Sequence, residues 1–91
     1  MKNSEEVKMS EVVAVIRDNF ESLRTLEDLS SGSELHRDLG LDSLDIVRLQ
    51  VAIEDHFDVR FDPIRDDLAE AFLSAGSLLK LIRSLVKGKN Q

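Results

Sequence analysis

Cysteine is absent from this chain of 91 residues. No disulfide can brace the fold, no zinc site can draw on thiolates, and any thioester chemistry must bring its sulfur on a cofactor. Long apolar runs are absent as well, so no transmembrane segment is expected. The N-terminal Met1-Lys2-Asn3-Ser4-Glu5-Glu6 has no hydrophobic region behind its charge, unlike a secretory signal. Positive charge is in short supply: 12 Lys and Arg against 18 Asp and Glu leave −6, which opposes nucleic-acid binding. Acid is missing after Glu70, where Lys80, Arg83, Lys87 and Lys89 give +4, so residues 1–70 carry −10. Cations late in a C-terminal helix complement its dipole, and the acidic remainder suits partners with basic docking surfaces.

Histidine is scarce, with only His36 and His56. A nucleophilic hydrolase needs a base, an orienting acid and an oxyanion hole, and no second glycine-rich turn supplies backbone donors. The acids Asp38, Asp42 and Asp45 do not have EF-hand spacing, so neither a catalytic nor a metal site is expected.

What remains is room for one small domain, residues 1–91 with an ordered core over about 5–87. Asn3 and Glu6 have capping-box spacing, placing the first helix start near Ser4. Met9, Val12, Val13, Ile16, Phe20 and Leu23 then form one apolar face. Residues 24–42 read as a long loop containing Ser30-Ser31-Gly32-Ser33, with Leu26, Leu29, Leu35 and Leu39 as its anchors.

The second helix is predicted from Ser43 to Phe57. At 100° per residue, Ile46, Leu49, Ile53 and Phe57 share an arc of roughly 80°. Leu44, Val47 and Val51 make a second apolar strip about 145° away. Two apolar faces on one short helix mean that it is sandwiched or that the second strip docks something outside; charges at Asp42, Asp45, Arg48, Glu54 and Asp55 rim that strip.

Asp58-Val59-Arg60-Phe61 reads as a connecting loop with Phe61 buried. Asp62-Pro63 pairs an N-cap residue with proline at the first helical position, so a third, short helix is predicted from Pro63 to about Ala71, with Ile64, Leu68 and Phe72 available for packing. Ser74 can cap a fourth helix to about Lys87, whose Leu78, Leu79, Leu81, Ile82, Leu85 and Val86 complete the core, and Gly88 onwards should fray. The expected fold is all-α: a small four-helix bundle, three main helices and one short one, with a long loop between the first and second.

The most informative stretch is Asp38-Leu39-Gly40-Leu41-Asp42-Ser43-Leu44-Asp45. Gly40 permits a backbone turn that a Cβ would resist, and Asp42 and Ser43 are both suited to an N-cap. Ser43 should stand at the junction of loop and helix with its hydroxyl outward. A mere cap is the plain reading of such a pair.

The whole octet, followed by Ile46-Val47-Arg48-Leu49, resembles the prosthetic-group site of the acyl carrier protein family. Ile53-Glu54-Asp55-His56-Phe57 is similar to the end of that family's second helix, and the similarity runs loosely over residues 5–87. The resemblance implies a carrier that is not an enzyme. A separate phosphopantetheinyl transferase, using coenzyme A, would attach 4′-phosphopantetheine to Ser43, with Asp42 helping to present it. Acyl or aminoacyl groups would ride on the arm's thiol as thioesters. Leu44, Asp45, Val47, Arg48, Val51, Glu54 and Asp55 would meet acyl-loading, condensing or acyl-transferring enzymes of fatty-acid, polyketide, lipid or related biosynthesis. A cytoplasmic monomer with no nucleic-acid or membrane partner is expected. Arg48, where the common fatty-acid carriers have an acid, and Asp62-Pro63-Ile64, in place of their apolar-Pro-acid order, suggest a specialised member. The other class of reading is an unmodified acidic adaptor.

Overall fold

The computed structural model describes residues 7–24 and 31–89. Four helices follow in order: α1 (Met9–Asn19), α2 (Ser43–Phe57), the single-turn α3 (Leu68–Ala71) and α4 (Ala75–Lys89). Helix α1 packs on both α2 and α4, and α3 packs on α4. Val12, Ile16, Leu49, Ile53, Leu78 and Ile82 are fully buried between them, as their spacing along each helix requires. No described helix is long and apolar enough to cross a membrane.

Helix α1 begins where its apolar stripe begins, later than the start near Ser4 that capping-box spacing suggests, and it ends before the stripe does. It begins at Met9, where the Lys8 N–H donates to the Glu11 carboxylate at 3.4 Å; Asn3 and Glu6 lie outside the described residues. It ends at Asn19, whose side-chain amide donates to Val15 O at 2.8 Å. Phe20 is then extended and Glu21–Leu23 form a 3₁₀ turn, so Phe20 and Leu23 reach the core from outside the helix. Val15 joins the buried face, while Val13 is only half-buried.

The loop between α1 and α2 is fastened by its backbone as well as by its leucines. Leu35 and Leu39 are buried as expected, and Leu41 with them; Leu26 and Leu29 lie outside the described residues. The Ala75 and Gly76 N–H groups, orphaned at the start of α4, donate to Ser33 O and Ser31 O at 3.0 and 2.8 Å. Leu35 N–H donates to Leu73 O at 3.1 Å. Gly76 is required here, since a Cβ would stand 2.8 Å from Ser31 O. Ser74 caps α4 as predicted, its Oγ accepting from Ser77 N–H at 3.2 Å while Ser77 Oγ accepts from Ser74 N–H at 3.0 Å. The helix runs to Lys89, two residues past its predicted end.

The third helix departs most from expectation. Asp62 does cap, accepting from the Ile64 and Arg65 N–H groups at 2.9 and 3.3 Å, but it caps only one turn. The Asp66 carboxylate folds back onto Asp62 N–H at 2.9 Å, and Asp67 caps a separate start, accepting from Glu70 N–H. Side-chain acceptors so closely spaced divert backbone donors from a continuous ladder. Helix α3 therefore begins at Leu68 rather than Pro63, and Ile64 is 97% exposed instead of packed. Leu68 and Phe72 do pack, and the half-buried Phe61 meets Phe72 edge to face at 5.3 Å.

This 62–66 hook carries a pH dependence. Asp66 also accepts from Arg65 Nε and Nη2 at 3.0 and 2.9 Å. The Arg65 contact, helped by the Asp62 N–H and opposed by burial, holds the Asp66 carboxyl below its usual range. A depressed folded-state pKa stabilises above the unfolded value and is lost as pH falls through the folded one. Wild type should therefore melt above Asp66→Asn at neutral pH, by no more than about 4 °C because solvent screens an ion pair whose arginine is exposed. The two curves should converge as pH drops below the ordinary aspartate range. Melting both proteins from pH 7 to pH 2 measures this.

Candidate functional site

The turn before α2 is held from both sides of Gly40. Leu39 and Leu41 are buried, and Gly40 between them has φ +72°, the left-handed region that glycine enters without a Cβ penalty. Gly40 N–H donates to His36 O at 3.1 Å and Leu41 N–H to Leu35 O at 3.0 Å. Asp38 is spent inside this loop, its carboxylate accepting from Glu34 N–H at 2.8 Å. His36 Nδ1 donates to Leu41 O at 2.8 Å, fixing the backbone just before the helix. Sequence reading gave His36 no such role, and nothing local signals it.

Helix α2 begins where predicted, and the choice between its two candidate caps is decided by geometry. Asp42 is the N-cap: its Oδ1 accepts from Asp45 N–H at 2.9 Å, and Asp45 Oδ2 accepts in return from Asp42 N–H at 3.1 Å. This reciprocal pair satisfies two otherwise orphaned donors. Ser43 is the first helical residue, exposed, and no hydrogen bond ties its hydroxyl to the described residues. The position suits a phosphodiester, because the positive end of a 15-residue helix favours negative charge at its first turn.

The two faces of α2 separate as the wheel predicts. Leu49, Ile53 and Phe57 are buried and Ile46 packs partly against them. Leu44, Val47 and Val51 are 76, 54 and 53% exposed, so no element of the bundle covers the second strip. The surrounding charges differ in freedom. Asp55 is exposed, whereas Glu54 is half-buried and its Oε2 accepts from Phe61 N–H at 2.8 Å. Asp45 is half-buried in the cap. Arg48 turns toward α1, donating from Nη2 to Asn19 O at 3.2 Å, with its Cζ 5.2 Å from the centre of the Phe20 ring.

The site can thus display one hydroxyl on a rigid helix start beside an uncovered apolar strip. The family model described as a phosphopantetheine attachment site matches residues 10–85. The mitochondrial acyl carrier protein of Saccharomyces cerevisiae is 45% identical over 58 residues, 64% of this chain but only 44% of the relative's own length. The acyl carrier protein of a Sulfurovum species is 39% identical over 59 residues, 65% of this chain and 75% of its own. That of Sinorhizobium fredii is 43% identical over 56 residues, 62 and 68% of the two chains. No solved structure matches significantly. The chain belongs to the acyl carrier protein family, whose members are carriers with phosphopantetheine as their prosthetic group and not enzymes.

Proposed function

We propose that Ser43 is the attachment point of 4′-phosphopantetheine, and that the chain carries acyl or aminoacyl intermediates between enzymes of fatty-acid, polyketide, lipid or related biosynthesis. One observation carries the assignment of Ser43. Its hydroxyl stands exposed at the first position of α2 while the neighbouring Asp42 does the capping. The bound group supplies a thiol on a long arm. The protein's part is to hold that arm at one fixed point and bring it, by docking, to high effective concentration in each partner.

Leu44, Val47 and Val51 form the centre of the docking face in this reading, with Asp42, Asp45, Glu54 and Asp55 as an acidic rim for basic partner surfaces. The first partner is a phosphopantetheinyl transferase, and the others load, condense or transfer acyl groups. The departures at Arg48 and Asp62-Pro63-Ile64 favour a specialised pathway, and the carrier works as a cytoplasmic monomer. Incubation with coenzyme A, magnesium and a promiscuous transferase tests the reading. The intact mass should rise by the phosphopantetheine half of coenzyme A, with fragmentation placing the gain on Ser43. Folded protein that stays unmodified with several transferases would instead favour an unmodified adaptor.

A further inference from the structure

Arg48 lies one and a half turns beyond Ser43, about 7.5 Å along the helix by its rise. Its guanidinium meets three groups: Asn19 O at 3.2 Å, the Phe20 ring at 5.2 Å and Asp45 Oδ1 at 3.9 Å. Asn19 is the last residue of α1, so the cation sits at the negative end of that helix's dipole. The surrounding cleft, about 590 Å³, is lined also by the acids Asp18 and Glu21 near the same end and by Gly40 and Leu41 of the turn before α2.

We propose that Arg48 is a positioning residue for Ser43 rather than a charge offered to partners. It joins the end of α1 to Asp45, and Asp45 is one half of the reciprocal cap that brackets Ser43. The cap and the end of α1 are thereby fixed relative to one another. The side chain remains 64% exposed, so the long ion pair to Asp45 contributes little alone. The contacts to the helix end and the aromatic face carry the effect, and both favour the flat fork of arginine over lysine.

The inference rests on Ser43 being the modified residue, and the two can fail separately. Initial rates of modification by a transferase are measured on the full chain for wild type, Arg48→Lys, Arg48→Ala and Arg48→Glu, at low and high salt. Positioning predicts rates falling in that order, with kcat/KM down about five-fold for Arg48→Ala. The loss should persist at high salt, where exposed charge effects are screened. A charge that repels basic partners predicts the opposite: Arg48→Ala and Arg48→Glu modified faster than wild type, with the difference fading as salt rises. Amide exchange supplies a readout that needs no modification. In Arg48→Ala the Asp45 N–H should exchange faster while that of buried Ile53 keeps its wild-type rate. Equal acceleration at both sites, or a variant modified as fast as wild type, overturns the proposal. A wild type that is never modified, with Asp45 exchange still dependent on Arg48, overturns only the assignment of Ser43.

Discussion

Ser43→Ala is expected to abolish phosphopantetheine attachment completely while leaving the fold and its melting temperature unchanged within about 2 °C. The chemical half of this outcome is simple, since alanine has no oxygen to carry a phosphodiester. The structural half discriminates. Were Ser43 the cap of α2, its loss would cost about 1 kcal/mol, and a drop in modification could be blamed on a frayed helix. Asp42 holds that role, with Asp45 N–H on its carboxylate at 2.9 Å, and Ser43 is already helical. Alanine is a better helix former than serine, and no bond of the described bundle depends on the hydroxyl. Intact mass after transferase treatment and thermal melts of both proteins measure the two halves. A variant that still gains the group places it elsewhere; one that melts far below wild type shows that the hydroxyl is structural.

The readings that held were those in which local pattern decides. The bounds of α2, its division into a buried stripe and an uncovered strip, and the glycine turn before it follow from period, capping chemistry and backbone sterics within a few residues. The ones that failed required a choice between equivalent local signals or a partner distant in the chain. Asp62, Asp66 and Asp67 are all capable of capping, and only their competition shortens α3 to a single turn. The helical wheel places Arg48 on the rim but cannot show its hydrogen bond to Asn19 O, 29 residues earlier. The leucine anchors of the long loop are legible in the pattern, and Leu35 and Leu39 are buried, but its bonds to the start of α4 run through backbone groups that no side-chain pattern reveals.

A double variant, Val47→Lys with Val51→Lys, is expected to lower kcat/KM for modification on the order of 100-fold with little change in stability. Both side chains are more than half exposed, so lysine at either position buries no charge and opens no cavity. Substitutions of this kind on a surface usually change stability by under about 0.5 kcal/mol. Binding is affected twice over. Two apolar contacts at the centre of the docking face are lost, and two cations are set among Asp42, Asp45 and Asp55, where a basic partner should meet only acid. Like charges facing each other across an interface cost several kcal/mol, and about 2.7 kcal/mol is enough for the stated factor. Because Ser43 and its cap are untouched, the loss should fall on KM rather than kcat. Kinetics of modification with coenzyme A saturating and the carrier varied would show this. A double variant modified at the wild-type rate would mean that partners approach Ser43 from another side, leaving the strip on α2 without a function.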